Sequence, residues 1–181
     1  ISNHQYLYGI SEGSLKLRMN EQYGNLRYLI FNQIYKNIPV WNGRIDFRYR
    51  LNGDLVMIGH DAFPNLEVDI NPNINTFQGI LLAKNHVGFS EKLHDEVVGD
   101  PELYIWVGKG KEPEYHLAWQ LELFVHSTDL DDELPVHRWK LFIDAHSGDI
   151  LEQFDEVRMA TVEGHVSGPV KDEPYGIATD R

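Results

Sequence analysis

The 181-residue chain contains no cysteine. That absence excludes disulfides, cysteine-ligated zinc and a thiol nucleophile together. It leaves the redox compartment open, because a cysteine-free chain suits the cytosol and the exterior alike. No apolar run approaches the roughly 18 residues needed to span a bilayer. Positive charge is scarce: 16 lysines and arginines stand against 28 acids, a formal net charge of −12. A duplex phosphate backbone or an anionic lipid surface repels such a chain, so neither nucleic acid nor membrane is expected as a partner. No run of lysine or arginine is long enough to form a basic patch. Ile1 to Gln5 hold neither an initiator methionine nor a charged-then-apolar signal, and Ile177 to Arg181 end without a terminating feature. The chain is therefore expected to be a piece of a longer polypeptide.

Catalytic motifs are lacking as well. None of the serines at 2, 11, 14, 90, 127, 147 and 167 lies in a Gly-x-Ser-x-Gly elbow. Gly108-Lys109-Gly110-Lys111 lacks phosphate-loop spacing and joins two strands. Nine histidines invite a metal, yet no pair has the i, i+4 spacing with an adjacent Glu that a metalloprotease helix needs. His94-Asp95-Glu96 lacks a second ligand. His116 and His126 share a strand face, but they stand about 33 Å apart along it; His137 and His146 flank another strand. These histidines are expected to be solvated on polar strand faces. The acidic segment 129–133 has no glycine and no spaced final Glu of a calcium loop, so a solvated connection is expected there. No catalytic, cofactor-binding or metal residue is assigned, and no cofactor is expected.

What is present reads as an ordinary globular chain, 42% apolar and 12% aromatic. Arg44 to Leu51 alternates with period two, Ile45, Phe47, Tyr49 and Leu51 on one face and Arg44, Asp46, Arg48 and Arg50 on the other. Asn52-Gly53 then joins it to Leu55–Ile58, a strong hairpin signal. Leu15–Met19 and Leu26–Tyr35 form a second hairpin around Gly24-Asn25. After Pro72, a helix of roughly three turns is capped by Asn73 or Asn75 and stopped by Gly88. Its inner stripe is expected at Phe77, Ile80, Leu81 and the stem of Lys84. Strands follow at Leu103–Val107, at Tyr115–His126 with Tyr115, Leu117, Trp119, Leu121, Leu123 and Val125 on one face, and at Arg138–Asp144, turning through Ser147-Gly148 to Ile150-Leu151. Trp41 and Trp106 are candidate anchors for a partner, although strand aromatics more often belong to the core. The fold class expected is α+β, antiparallel sheets with a helix packed on one face.

Arg27 to Gly43 resembles the fungalysin/thermolysin propeptide domain, whose signature runs Arg, then Gln-x-Tyr-x-Gly-Ile-Pro-Val and a glycine-bearing turn into a long strand. Gln33, Tyr35, Ile38, Pro39, Val40 and Gly43 match, as do Asn52-Gly53, Gly59 and Pro64 beyond. Asn37 replaces the usual glycine, and asparagine tolerates φ > 0 next best. The second half resembles the PepSY-type domain that follows in such propeptides: the helix around Phe77, Leu117-Ala118-Trp119, and Ile143 to Leu151 against Ile-Asp-Ala-x-Thr-Gly-x-Ile-Leu, with Ser147 for Thr. The resemblance covers roughly residues 15–157. It implies a first propeptide domain over 1–70, a cystatin-like second over 71–157, and at 158–181 a linker or the start of a further β domain. It further implies a non-catalytic chaperone and inhibitor of a cognate secreted zinc metallopeptidase, its partner in cis. The alternative is an accessory binding or adhesive module of a secreted protein with no peptidase.

Overall fold

The computed structural model describes residues 10, 14–110, 113–129, 132 and 134–157. These described residues are mostly sheet, with eight strands, one helix and one short 3-10 turn among them. The strands are β1 (Leu15–Tyr23), β2 (Leu26–Tyr35), β3 (Ile38–Arg50), β4 (Leu55–His60), β5 (Glu96–Val107), β6 (Tyr115–His126), β7 (Val136–Asp144) and β8 (Ile150–Asp155). They run in the order β1-β2-β3-β5-β6-β7-β8, with β4 paired on β3. Every pairing is antiparallel except β3 with β5, which meet in parallel at Val40 and Ile105. The sheet is thus mixed and a larger share of the fold than an α+β description conveys. Among the described residues no helix is long and apolar enough to cross a membrane.

Both expected N-terminal hairpins form. β2 and β3 make another, turning through Lys36 and Asn37 at φ 49° and 71°. Two positive φ values match the twist of a two-residue hairpin loop, and Asn37 tolerates the conformation for which the family pattern uses glycine. β3 starts well before Arg44, and β5 starts at Glu96 rather than Leu103. Gly99-Asp100-Pro101 disguises that extension, because the register between β5 and β6 skips from Val98 to Glu102 and a bulge admits glycine and proline that a regular strand rejects.

The helix among the described residues, α1 (Thr76–Val87), is held at its start by Asn75, which accepts from the Gln78 N–H while Gln78 accepts from the Asn75 N–H. This reciprocal box satisfies two otherwise orphaned donors. α1 lies on β6 and β7, where Ala83, Leu121, Leu123, Val125, Leu141 and Ile143 form the main core with Ile80, Leu82 and Val87 against it. The expected inner stripe holds at Ile80, which packs on this core, and is corrected at Phe77 and Leu81, which are 75% and 50% exposed, while Gly79 and Ala83 are buried. The helix sits close to the sheet, with Gly79 facing the Trp119 ring. Gly79 and Ala83 turn inward together with Ile80, Leu82 and Val87, while Phe77 and Leu81 face outward.

The core face predicted for β6 is observed, with Leu117, Leu121, Leu123 and Val125 buried. Its opposite face is not simply polar. Ala118, Phe142 and Trp106 are buried there under Trp41, Tyr104, Leu151 and Phe154. Trp41 packs 4.7 Å from the Phe142 ring and 5.5 Å from Tyr104. Both candidate anchors thus belong largely to this second aromatic cluster.

Candidate functional site

Two irregularities in the sheet flank Asn32 and Gln33. In β1 the register with β2 slips between Leu17 and Met19, which makes Arg18 an extra residue. In β3, Asn32 pairs Arg44 and Ile34 pairs Pro39, so Val40 to Gly43 stand opposite Gln33 alone. Bulges of this kind re-aim side chains. The second carries β3 across to β5 at Val40 and places Asn42 at φ 60°.

Gln33 occupies the space this excursion opens. It is 2% exposed, donates from Nε2 to the Phe63 carbonyl at 2.7 Å and accepts from the Phe63 N–H at 2.8 Å. The side chain thereby imitates a strand neighbour for the segment after β4. Gly43 makes this geometry possible, because a Cβ there would stand 2.9 Å from both Cβ and Oε1 of Gln33.

An open cleft of about 750 Å³ lies against the bulge, lined among others by Arg18, Asn32, Trp41, Arg44 and Phe63. A second cavity of about 580 Å³ shares Arg18, Asn32 and Pro39 with it and adds Lys16 and Asn37. Arg44 is tied to Asp61 at 2.9 Å. The indole N–H of Trp41 is buried and has no hydrogen-bond partner among the described residues.

At the far end, the Ile143–Leu151 turn is built around Asp144. Its Oδ1 accepts from the His146 and Ser147 N–H groups at 2.7 and 2.9 Å, and its Oδ2 meets His116 Nδ1 at 2.6 Å. Burial pushes this carboxyl up, but those three hydrogen bonds outweigh burial and hold it below the ordinary carboxylate range. Ser147 Oγ donates to Asp149 and accepts from the Asp149 N–H, a task serine and threonine hydroxyls share. Gly148 is fixed by both conformation and space: its φ is 86°, and a Cβ would meet Ile74 at 2.9 Å.

The histidines are less solvated than the alternation implied. His126 Nδ1 lies 3.0 Å from buried Asp95, which also accepts from the Ser90 N–H. His137 bridges two carboxylates, Nδ1 to Asp155 at 2.7 Å and Nε2 to Asp132 at 2.8 Å. A neutral imidazole owns one N–H, so serving two carboxylate acceptors requires the imidazolium. Burial opposes that charge, yet the bonds to Asp155 and Asp132 prevail and raise its pKa above the ordinary value. Asp132 is held down to about 2 by the Leu134 N–H, the Ser127 hydroxyl and His137. Its oxygens are committed to protein donors; Leu130, Asp131 and Glu133 of the candidate calcium segment lie outside the described residues. So does everything from residue 158 onward. Among the described residues no group of three or more His, Asp and Glu is placed to hold a metal.

Sequence reasoning missed Arg18 and Asn32. Their bulges have no local signature; of the cleft residues the sequence marks Trp41 as a candidate anchor and Pro39, Val40 and Gly43 as pattern residues.

No family model matches the chain. It is similar to bacillolysin of Brevibacillus brevis, 28% identical over 138 residues, covering 73% of this chain and 24% of that protein. It is also similar to neutral protease B of Bacillus subtilis (strain 168), 27% identical over 143 residues, covering 77% and 25%. The chain thus spans about a quarter of the length of these relatives. The match falls in a non-catalytic part of each, and the chain is accordingly non-catalytic. Among solved structures, the C-terminal domain of Bacillus megaterium YpeB superposes with a TM-score of 0.42 and 14% identity, over 79% of this chain and 57% of that one.

Proposed function

We propose that the chain is the propeptide region of a secreted zinc metallopeptidase precursor, acting in cis as folding template and inhibitor of its catalytic domain. The observation that carries this reading is the similarity to two bacterial proteases over three quarters of this chain and only a quarter of theirs. Residues 1–70 serve as the first propeptide domain and 71–157 as a cystatin-like second, with 158–181 a linker or the start of a further β domain. The family-pattern residues support the reading in that each has structural work: Gln33 and Gly43 fasten the first half, and Asp144, Ser147 and Gly148 shape the turn of the second.

The energetics suit such a role. A template that binds the native peptidase and not its unfolded chain lowers the free energy of the folded product by mass action. The test is to add the purified 181-residue chain to the mature peptidase encoded with it. Inhibition that saturates with chain concentration, and a higher yield of active enzyme when the denatured peptidase refolds beside the chain, are expected. Unchanged activity and unchanged yield at saturating chain would overturn the reading.

A further inference from the structure

Charge is distributed very unevenly along the molecule. Residues 15–60 hold seven lysines and arginines against three acids, a net of +4, whereas residues 61–157 hold six against twenty, a net of −14. The cleft at the paired bulges lies mostly in the positive part. Arg18, the extra residue of the β1 bulge, is exposed and has no hydrogen-bond or ionic partner among the described residues. The Asn32 and Asn42 side chains beside it are equally uncommitted, and Arg44 has only Asp61. The rest of the lining is largely apolar, with Val40, Trp41, Phe63 and Tyr104 among it.

We propose that this cleft binds an extended peptide segment carrying a carboxylate, an acidic side chain flanked by apolar residues, with Arg18 as its principal anchor. Three features select that occupant. A guanidinium forks onto a carboxylate through two N–H groups, which makes arginine the favoured residue for such recognition. The carboxamides of Asn32 and Asn42 each offer a donor and an acceptor, as a peptide backbone requires; Gln33 already satisfies the Phe63 peptide groups in this way. Third, the second cavity shares Arg18, Asn32 and Pro39 with the cleft and so extends the lined surface, and Lys16 adds another cation there. That length suits an extended chain better than a compact anion, and the volume lies in the range of ligand sites. The proposal goes beyond the propeptide reading and does not depend on which protein supplies the segment.

The test is fluorescence anisotropy of a labelled, terminally blocked heptapeptide of alternating Leu and Glu, titrated with the 181-residue chain. Saturable binding that weakens with added salt is expected. The Gln-for-Glu peptide, and the Arg18→Gln chain, should each bind roughly tenfold more weakly or worse, the loss of one charge-assisted contact. Arg18→Lys should recover part of the affinity. Because Arg18 is exposed, the variants should melt with the parent chain. Equal binding of the Leu/Gln peptide, equal binding by Arg18→Gln, or no binding at all would each overturn the proposal. Displacement of the peptide by equimolar citrate would overturn the peptide assignment in favour of a simple anion site.

Discussion

Replacing Gln33 by leucine removes the side-chain imitation of a strand while keeping nearly the same volume. The Phe63 N–H and carbonyl, bonded now at 2.8 and 2.7 Å, both lose their partners. Each polar group left unsatisfied costs about 1–3 kcal/mol. Phe63 is only half-buried and water relieves part of the penalty, so the loss should come to about 3 kcal/mol. For a chain of this size that lowers Tm by roughly 6–12 °C, read by circular dichroism at fixed protein concentration. Gln33→Glu sharpens the argument. Its carboxylate still accepts from the Phe63 N–H, but its second oxygen faces the Phe63 carbonyl with no proton between them. At pH 8 it should be destabilised relative to the parent, and acidification should close the gap as the carboxyl gains the missing proton. Gly43→Ala attacks the same contact from the other side and should cost about 1–3 kcal/mol by overpacking. If Gln33→Leu lowers Tm by less than about 2 °C, or if the Glu variant shows no recovery in acid, the Gln33–Phe63 pairing does not hold the segment after β4 as reasoned.

Other outcomes follow from the same geometry. The His137 bridge has a raised pKa, so its contribution is complete below the ordinary histidine value and is lost as pH rises through the raised one. Urea midpoints of the parent chain should therefore fall across that alkaline-side window more steeply than those of His137→Gln; parallel curves would refute the bridge. Trp119→Phe removes the 2.7 Å bond to the Ile74 carbonyl at the approach to α1 and should cost about 1–2 kcal/mol, with faster hydrogen exchange at the start of α1 than in β7. Phe77→Lys and Leu81→Lys should change stability by less than about 0.5 kcal/mol. Ala83→Leu should lose about 1–3 kcal/mol in the same denaturant titration; a large loss at Phe77 would restore the stripe read from the sequence.

The elements most legible in the sequence were those governed by neighbours along the chain. Period-two alternation located β6, Asn52-Gly53 located the β3–β4 turn, and Asn75 and Gly88 bounded α1, because each signal acts within a few residues. The α1 stripe was right at Ile80 and wrong at Phe77 and Leu81, because which side of a helix faces a sheet is set by packing against residues far away in the chain. Here Gly79 faces the Trp119 ring and Phe77 points to solvent. The histidine–carboxylate bonds escaped notice for a related reason: Asp95 is 31 residues from His126, and Asp144 is 28 from His116. The cleft was hidden most completely, since two bulges on non-adjacent strands form it and neither breaks the hydrophobic pattern.

The parallel contact at Val40 and Ile105, the one such pairing among the described strands, bears on the order of assembly. All other strand pairings join consecutive strands, so β1–β4 and β5–β8 can each zip up through short loops. The β3–β5 contact must instead close a span of 65 residues, which carries a larger entropic cost. Two meanders formed quickly and one clasp fastened late would give the molecule a slow final folding phase. That phase should be reported by the amide protons of Val40 to Gly43, the segment both meanders have to agree upon.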